Sequence, residues 1–333
     1  MILADSRWIG PHGIGRFASE VLKRLPDVQP LQDDLSPVNP IDTFWSSMKI
    51  AIARPVPSLY FTPGYAPPIW CGVPFIFTIC DLNHLDVPQN SSFLKRLYYR
   101  WVMLPACHRA SFVLTISEFS RNRILKWSGL PPERVVNISL GVDEQFQPVG
   151  VRHMPGYEYL LYVGNHKPHK NLPRLLEAFA RSGIQNRVKL IISGYAEPGL
   201  DQIIHSLNVD QSVIFAGVIL DDVLPAFYRG ALALVFPSLY EGFGLPALEA
   251  MACGVPVITS NTTSLPEVVG DAALLVNPLD TEEIACAIQQ LVEDDALRAE
   301  LRRKGLERAK LFSWEKTVAL TWQVIQEATG QKP

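Results

Sequence analysis

The run Ala231-Leu232-Ala233-Leu234-Val235-Phe236-Pro237-Ser238, continued by Leu239-Tyr240-Glu241-Gly242-Phe243-Gly244-Leu245-Pro246, decides how this 333-residue chain folds. Its first half is short, apolar and uncharged and is bounded by a turn signal, the pattern of a strand buried on both faces in a parallel sheet. The second half is a loop with two glycines. Pro246 suits the first turn of a helix, where its missing N–H would be unpaired anyway. The helix reads Ala247-Leu248-Glu249-Ala250-Met251-Ala252-Cys253, and Gly254 stops it. Val255-Pro256-Val257-Ile258-Thr259 is a second buried strand, so the unit is strand–loop–helix–strand. Glu241 falls in the loop at the carboxyl end of the first strand, where open α/β sheets bind ligands. Glu249 follows eight residues later, in what reads as the first helical turn. The N–H groups near Gly244 and Leu245 form an anion site. An anion flanked by two carboxylates points to a phosphorylated polyol. The alternative is that Glu241 is solvated and Glu249 favours the helix dipole, and the stretch alone leaves both open.

The chain is long enough for two domains. Hydrophobic residues make up 48% and charged residues 19%, an ordinary globular balance. A net charge of −3 gives no general pull towards nucleic acid, so no nucleic-acid partner is expected. Residues 1–150 carry 14 Lys+Arg against 12 Asp+Glu, a small positive balance that would favour an anionic surface on the N-terminal side. Five cysteines, Cys71, Cys80, Cys107, Cys253 and Cys286, are widely spaced without C-x-x-C, which indicates neither a disulfide framework nor a zinc knuckle. The N-terminus lacks a basic region followed by a long apolar segment, and no apolar run approaches the ~20 residues needed to cross a bilayer. A cytoplasmic protein is expected, at the inner face of the membrane if the N-terminal half touches lipid.

From the start, residues 1–5 read as a strand and about 16–25 as a helix with Phe17, Val21, Leu22 and Leu25 on one face. Gly13-Ile14-Gly15-Arg16-Phe17-Ala18 matches G-x-G-x-x-A, and Asp33 and Asp34 follow near the place of a ribose-binding acid, which would make an NAD loop. Against that, seven residues separate the strand from Gly13, where a tight turn is required. Residues 30–57 read as loop plus one short helix. Val73 to Ile79 is a buried strand ending in Cys80-Asp81-Leu82-Asn83-His84. From Ser92 to Leu104 the pattern is helical, with Phe93, Leu97, Trp101 and Leu104 on one stripe and Lys95, Arg96, Arg100, Tyr98 and Tyr99 around it. Two readings stay open: a patch for a membrane surface or lipid phosphate, or, the favoured one, a solvated face over a normal core stripe. Ser111–Ser117 is another strand, with Ser117 capping the next helix. Residues 147–158, with Pro148, Gly150, Pro155 and Gly156, read as a linker. Strands then restart at Tyr159–Gly164, Lys189–Gly194 and Val213–Gly217. After the first of them, Lys170 sits at a helix entrance, where a compact cation suits a diphosphate. Its alternative is a solvated loop lysine.

Glu241 and Glu249, in the setting Glu241-Gly242-Phe243-Gly244-Leu245-Pro246-Ala247-Leu248-Glu249-Ala250, resemble the E-x7-E signature of retaining glycosyltransferases of family 4 (glycosyltransferase group 1), which have the GT-B fold. Gly254-Val255-Pro256-Val257 and Leu265-Pro266-Glu267-Val268-Val269-Gly270-Asp271-Ala272-Ala273 look like the same family, and the likeness is thinnest from 26 to 72. The resemblance implies two doubly wound, Rossmann-like α/β domains facing a central cleft. Residues 1–150 would be the acceptor side, with a last helix, 313–330, packing back on it, and 151–312 the donor-binding side. It implies a nucleoside-diphosphate sugar as donor substrate and no cofactor. Lys170 and the N–H groups at Gly244 and Leu245 would hold the diphosphate, Glu241 the transferred sugar and Glu249 the ribose. Gly13, Gly15, Gly164, Asn165, Gly242 and Phe243 would bring backbone to the donor, and backbone near Val218 would read the base. The family has His-Asp where this chain has Cys80-Asp81, so Asp81 is retained near the reacting sugar and His84 is a candidate substitute for the imidazole. It often has arginine before the lysine, where this chain has His169, and Lys167 is a candidate for that second charge. No Asp-x-Asp occurs, so no metal site is indicated.

Tyr162-Val163-Gly164 and Lys170 to Phe179 look most like bacterial mannosyltransferases that build surface polysaccharides such as lipopolysaccharide. The expected donor is therefore GDP-mannose, with UDP-hexoses next, and the acceptor a saccharide or polyprenyl-linked saccharide. The competing readings are a GT-B sugar-nucleotide epimerase, a non-catalytic sugar-nucleotide-binding partner, and an NAD-dependent dehydrogenase.

Overall fold

The computed structural model describes residues 1–10, 13–31, 36, 37, 39 and 41–330. Its elements are, in order, β1 (Ile2–Asp5), α1 (Gly13–Leu22), β2 (Val28–Leu31), α2 (Asp42–Ile52), β3 (Leu59–Thr62), β4 (Phe75–Thr78), α3 (Asn83–Asp86), α4 (Phe93–Tyr98), α5 (Leu104–Arg109), β5 (Phe112–Thr115), α6 (Glu118–Ser128) and β6 (Val135–Asn137). They continue with β7 (Glu158–Tyr162), α7 (Leu172–Arg181), β8 (Val188–Ile192), α8 (Pro198–Ser206), β9 (Val213–Phe215), α9 (Leu224–Gly230), β10 (Ala233–Phe236), α10 (Leu245–Ala252), β11 (Val257–Ser260), α11 (Leu265–Val269) and β12 (Leu274–Val276). Helices α12 (Thr281–Glu293), α13 (Asp295–Ala309) and α14 (Trp314–Thr329) close the chain. Two compact units result, one of Met1–Gly141 with Ser313–Pro333 and one of Val142–Phe312.

The first unit is built on a six-stranded parallel sheet in the order β2-β1-β3-β4-β5-β6. Leu3, Tyr60, Phe75, Phe77, Val113 and Val135 share a core with Ile50 of α2, with Tyr99, Met103, Ala106 and Cys107, and with Ile124 of α6. Ala4, Phe61, Ile76 and Leu114 alternate with these and are fully buried too. Helix α14 packs along α1 and over β3, β4 and β5. Its start is capped by Ser313, which accepts from the Lys316 N–H, and it ends at Gly330 with φ +69°. Ser117 caps α6 in the same way, accepting from the Ser120 N–H at 3.1 Å.

Several expectations change here. Residues 28–31 form β2, a strand hidden from sequence reading because Pro30 sits in a four-residue run; as an edge strand it tolerates the proline. Residues 59–62 form β3, which is buried throughout yet too short to stand out between Pro57 and Pro63. The stripe Phe93–Leu97–Trp101–Leu104 is not the core face. A π-helical turn at Tyr99–Met103 widens the helix and turns Tyr99, Met103, Ala106 and Cys107 inward, leaving Phe93 and Trp101 74% and 67% exposed. Helix α1 begins at Gly13, not near Arg16, after a 3-10 turn at Ser6–Trp8, so the glycines do not form a tight strand–helix turn. Gly15 is explained by packing, since a Cβ there would meet Gly10 O at 2.2 Å. Asp33 and Asp34 lie outside the described residues.

The second unit repeats the plan with the order β12-β11-β10-β7-β8-β9, all parallel. Leu172, Leu175, Leu176 and Phe179 bury one stripe of α7, each about 1.5–3 kcal/mol of transfer free energy. Residues 142–157, read in part as a linker, are docked on this unit. Phe146 meets the Tyr228 ring edge-on, His153 stacks on Phe227 at 4.0 Å, and the Arg229 guanidinium donates to Val151 O and Gln147 O. The division therefore falls at 141/142, not 150/151.

Candidate functional site

Strands β7 and β10 are neighbours in register, Leu161 opposite Leu234, so the loops at their carboxyl ends meet. The first runs through a 3-10 turn, Pro168–Lys170, to α7; the second carries Glu241 to α10. Lys170 Nζ donates to Glu241 Oε1 at 2.6 Å, and each side chain is 12% exposed. The ammonium also lies 5.1 Å from the Phe236 ring centroid, so the cation has an aromatic floor. Phe236 ends β10, and the pair therefore sits against the edge of the core.

This geometry rests on Asn171, which sequence reading passed over. Its backbone is left-handed (φ +64°), and its amide donates to Pro237 O at 2.9 Å and to Pro278 O at 2.7 Å, tying three loops together. Arg174 in turn donates to the Asn171 side-chain oxygen at 2.8 Å. The Leu239 N–H donates to His169 O at 2.7 Å, a second strut between the loops. The only sequence signal for Asn171 is its place just before a Leu-Pro helix start.

The Glu241–Gly242–Phe243 turn is held from the β11–α11 side. Ser264 Oγ lies 2.9 Å from the carbonyl oxygens of both Glu241 and Phe243, which share its one proton, and Thr263 Oγ1 accepts from the Glu241 N–H at 3.3 Å. Gly244 follows with φ +116°, and a Cβ there would approach Leu265 Cδ2 to 2.7 Å. No side chain caps α10, and among the described residues the N–H groups of Gly244 and Leu245 donate to nothing. An anion is the natural partner for two such donors at a helix start.

Glu249 is the fifth residue of α10, in its second turn, because the helix starts at Leu245. It is buried, and Tyr228 Oη donates to its Oε2 at 2.9 Å. The dipole reading fails for it, since that effect is confined to the first turn. Tyr228, which the resemblance places in the segment by the nucleotide base, comes from α9, and no sequence spacing paired it with Glu249. Gly164 and Asn165 follow β7 directly: the Gly164 N–H donates to Ser193 Oγ at 3.0 Å, and Asn165 O accepts from Tyr162 Oη at 2.9 Å. Val218 is exposed after Gly217, whose backbone pairs with Gly194.

His169 does not replace an arginine. It is buried, and burial, reinforced by the positive charge of Lys170, pushes its pKa below the usual 6.5, Glu241 opposing only in part. It is neutral at pH 7. Lys167 is exposed in the same turn. No group of three His, Cys, Asp or Glu placed to hold a metal ion occurs among the described residues.

Gly13, Gly15 and Asp81 belong to the other unit. Asp81 is half-buried; its Oδ1 accepts from the Asn83 N–H at 3.0 Å, and its own N–H donates to Tyr65 Oη at 2.8 Å. Cys80 is buried, and desolvation pushes its thiol far up, so it is a neutral packing group. His84 is half-buried with Nδ1 3.4 Å from Tyr99 Oη.

Two family models match the chain: Glycosyl transferases group 1 over residues 143–308 and Glycosyltransferase Family 4 over residues 11–146. The chain is 38% identical over 260 residues to the O-antigen chain mannosyltransferase B of Escherichia coli, covering 74% of this chain and 68% of that one. It is 33% identical over 229 residues to the serotype-specific mannosyltransferase WbdA of Escherichia coli, covering 64% of this chain but only 28% of WbdA. Among solved structures, the sucrose-phosphate synthase of Thermosynechococcus elongatus superposes with a TM-score of 0.77 at 21% identity over 99% of both chains.

Proposed function

Because the chain belongs to the group 1, family 4 glycosyltransferases and has their GT-B fold, we propose that it moves a mannosyl group from GDP-mannose, with retention of anomeric configuration, to a saccharide or lipid-linked acceptor in surface polysaccharide synthesis. The observation that carries the reading is the Lys170–Glu241 pair, with Glu241 three residues before the unpaired N–H group of Gly244. One of the three ammonium N–H donors is used by Glu241, leaving two for phosphate oxygens. Lys170 and the start of α10 then stabilise the charge that grows on the diphosphate as it leaves, in the place a divalent cation would take. The second Glu241 oxygen accepts from hydroxyls of the transferred sugar. Glu249, oriented by Tyr228, is assigned the ribose, and Val218 backbone the base edge. Gly13, Gly15 and Asp81 lie in the first unit, and their roles rest on the family resemblance alone. With retention, the departing phosphate oxygen takes the acceptor proton, so no side-chain base is required.

The mannosyl assignment is supported by the two mannosyltransferase relatives; UDP-hexoses are the next donors to try. The test is a thermal-shift and turnover panel with GDP, UDP, NAD, GDP-mannose and UDP-glucose. Stabilisation by GDP, and transfer from GDP-mannose that chelation leaves intact, is the expected result. Activity lost on chelation and restored by manganese would overturn the metal-independent reading. Release of an isomerised free nucleotide sugar would identify an epimerase instead.

A further inference from the structure

The edge of the second unit's sheet away from the donor loops carries a group of arginines that sugar transfer does not use. A cavity of about 250 Å³ opens there between the chain entering β10 and the chain entering β11, and Arg152, Arg229, Arg298 and Arg302 line it together with Gly254 and Val255. All lie within Val142–Phe312. No Asp or Glu is among the lining residues. Composition does not account for this, because residues 151–333 carry 16 Lys+Arg against 21 Asp+Glu. Glu241 and Gly244 follow the carboxyl end of β10, whereas the cavity borders its amino end at Ala231 and Leu232.

Three of the four arginines are held by carbonyl oxygens, which explains where they stand but not all that they offer. Arg302 Nη1 donates to Gly254 O at 2.9 Å, just past the end of α10. Arg298 Nη1 donates to Leu291 O and Val292 O in the last turn of α12, at 2.6 and 2.7 Å, and its Nη2 pairs with Asp295. Cations suit helix carboxyl ends. Arg229 braces the docked 142–157 segment through Val151 O and Gln147 O. A guanidinium has five N–H donors, so Arg302 and Arg229 keep most of theirs. Among the described residues, Arg152 has no hydrogen-bond or ion-pair partner. Its backbone is nonetheless fixed, since the His153 N–H donates to Ala226 O at 2.9 Å and the His153 ring stacks on Phe227. Asp295 is the one carboxylate paired with these four groups among the described residues, so three positive charges stand uncompensated round one cavity.

That chemistry selects the ligand. Planar guanidinium forks match phosphate oxygens two at a time, and several fixed cations favour a ligand with more than one negative charge over a monocarboxylate. The volume lies below the roughly 300–1,000 Å³ of sites for drug-sized molecules, which favours a small ligand. We infer that this cavity binds a small phosphate ester or diphosphate, with Arg152 and Arg302 taking its oxygens and Arg229 and Arg298 completing the positive field. Helix α10 begins at the Glu241 loop and ends at the cavity, and its eight residues set the two places roughly 12 Å apart. A ligand on Arg302 therefore steadies the far end of the helix that starts at the donor loop. Phosphate binding here lies beyond sugar transfer and does not depend on the donor assignment.

The experiment is calorimetric titration of the full chain with pyrophosphate, and separately with inorganic phosphate, at an ionic strength held constant with potassium chloride so that general screening does not contribute. Thermal melts in the same buffers give a second reading, since a ligand of the folded state raises the melting temperature. Lys170 also attracts pyrophosphate, so Lys170→Ala is titrated alongside. Wild type is expected to bind pyrophosphate more tightly than phosphate. R152Q/R302Q should weaken that binding by about tenfold or more, and Lys170→Ala should leave the arginine-dependent part unchanged. Should loss of the Gly254 bond unfold R152Q/R302Q, Arg152→Gln alone serves: it breaks no bond within the protein, should melt like wild type without ligand, and should weaken binding about three- to fivefold. Three results would each overturn the inference: neither anion binding under these conditions, binding unchanged in Arg152→Gln and R152Q/R302Q, or binding lost altogether in folded Lys170→Ala, which would place it at the donor site.

Discussion

Replacing Lys170 by alanine tests the site most directly. Nζ lies 2.6 Å from Glu241 Oε1, both side chains are 12% exposed, and the Phe236 ring covers the ammonium at 5.1 Å. Water is largely excluded from such a pair, so it belongs above the 0–1 kcal/mol typical of surface ion pairs. A charge-assisted hydrogen bond of about 1.5–3 kcal/mol made to the leaving diphosphate sets the expected loss in kcat/KM at roughly 10- to 150-fold. Glu241→Ala removes the group that orients the ammonium and binds the sugar, and a loss of similar size is expected. Because the two act as one unit, Lys170→Ala/Glu241→Ala should be little slower than either single variant. Folding separates the roles further. Each single change strands one nearly buried charge, costing about 1–3 kcal/mol, whereas the double change strands none and should melt higher than at least one single variant. Initial rates of hexose transfer and thermal melts on the same preparations give both readings. A folded Lys170→Ala protein with wild-type kcat/KM would refute the assignment, and so would a double variant slowed by the product of the single effects.

Three further outcomes follow from the same loops. Gly244→Ala should cost about 1–3 kcal/mol, because its backbone sits at φ +116° and the new Cβ meets Leu265; transfer should fall with it, read from melts and rates together. Asn171→Ala removes both carbonyl bonds and a left-handed-tolerant residue, for an expected loss of about 2–3 kcal/mol, and Asn171→Gly should recover the backbone share only, as denaturant midpoints will report. His169 is held below its unfolded pKa of 6.5, so the folded state resists a proton that the unfolded chain accepts. Its contribution is present above 6.5 and is lost as pH falls from there through the lower folded value. The melting temperature of His169→Asn should lack that part of the decline, and equal pH profiles would contradict it.

In this chain, long uninterrupted apolar runs were the legible elements: β4, β5, β7, β8 and β10 were all readable before the structure. Strand β2, with Pro30, and β3, squeezed between prolines, were not, because four residues carry too little pattern to outweigh their flanks. Lys170, Glu241, Gly244 and Glu249 stood out by type and spacing. Asn171, Tyr228, Thr263 and Ser264 did not, since their bonds span as many as 107 residues of sequence, as from Asn171 to Pro278. The 93–109 helix shows how a period misleads: one π-helical turn rotated the expected core stripe outward.

By itself the sequence determined the alternation of buried strands with helices, hence two parallel-sheet units, and the chemical kinds of group at the carboxyl ends of the strands; burial pattern and side-chain chemistry are local properties. Tertiary structure alone decided the rest. It paired Lys170 with Glu241, made His169 neutral and buried Glu249 against Tyr228. Each of these depends on which distant groups share a space and on how much water reaches them, and one-dimensional order carries neither.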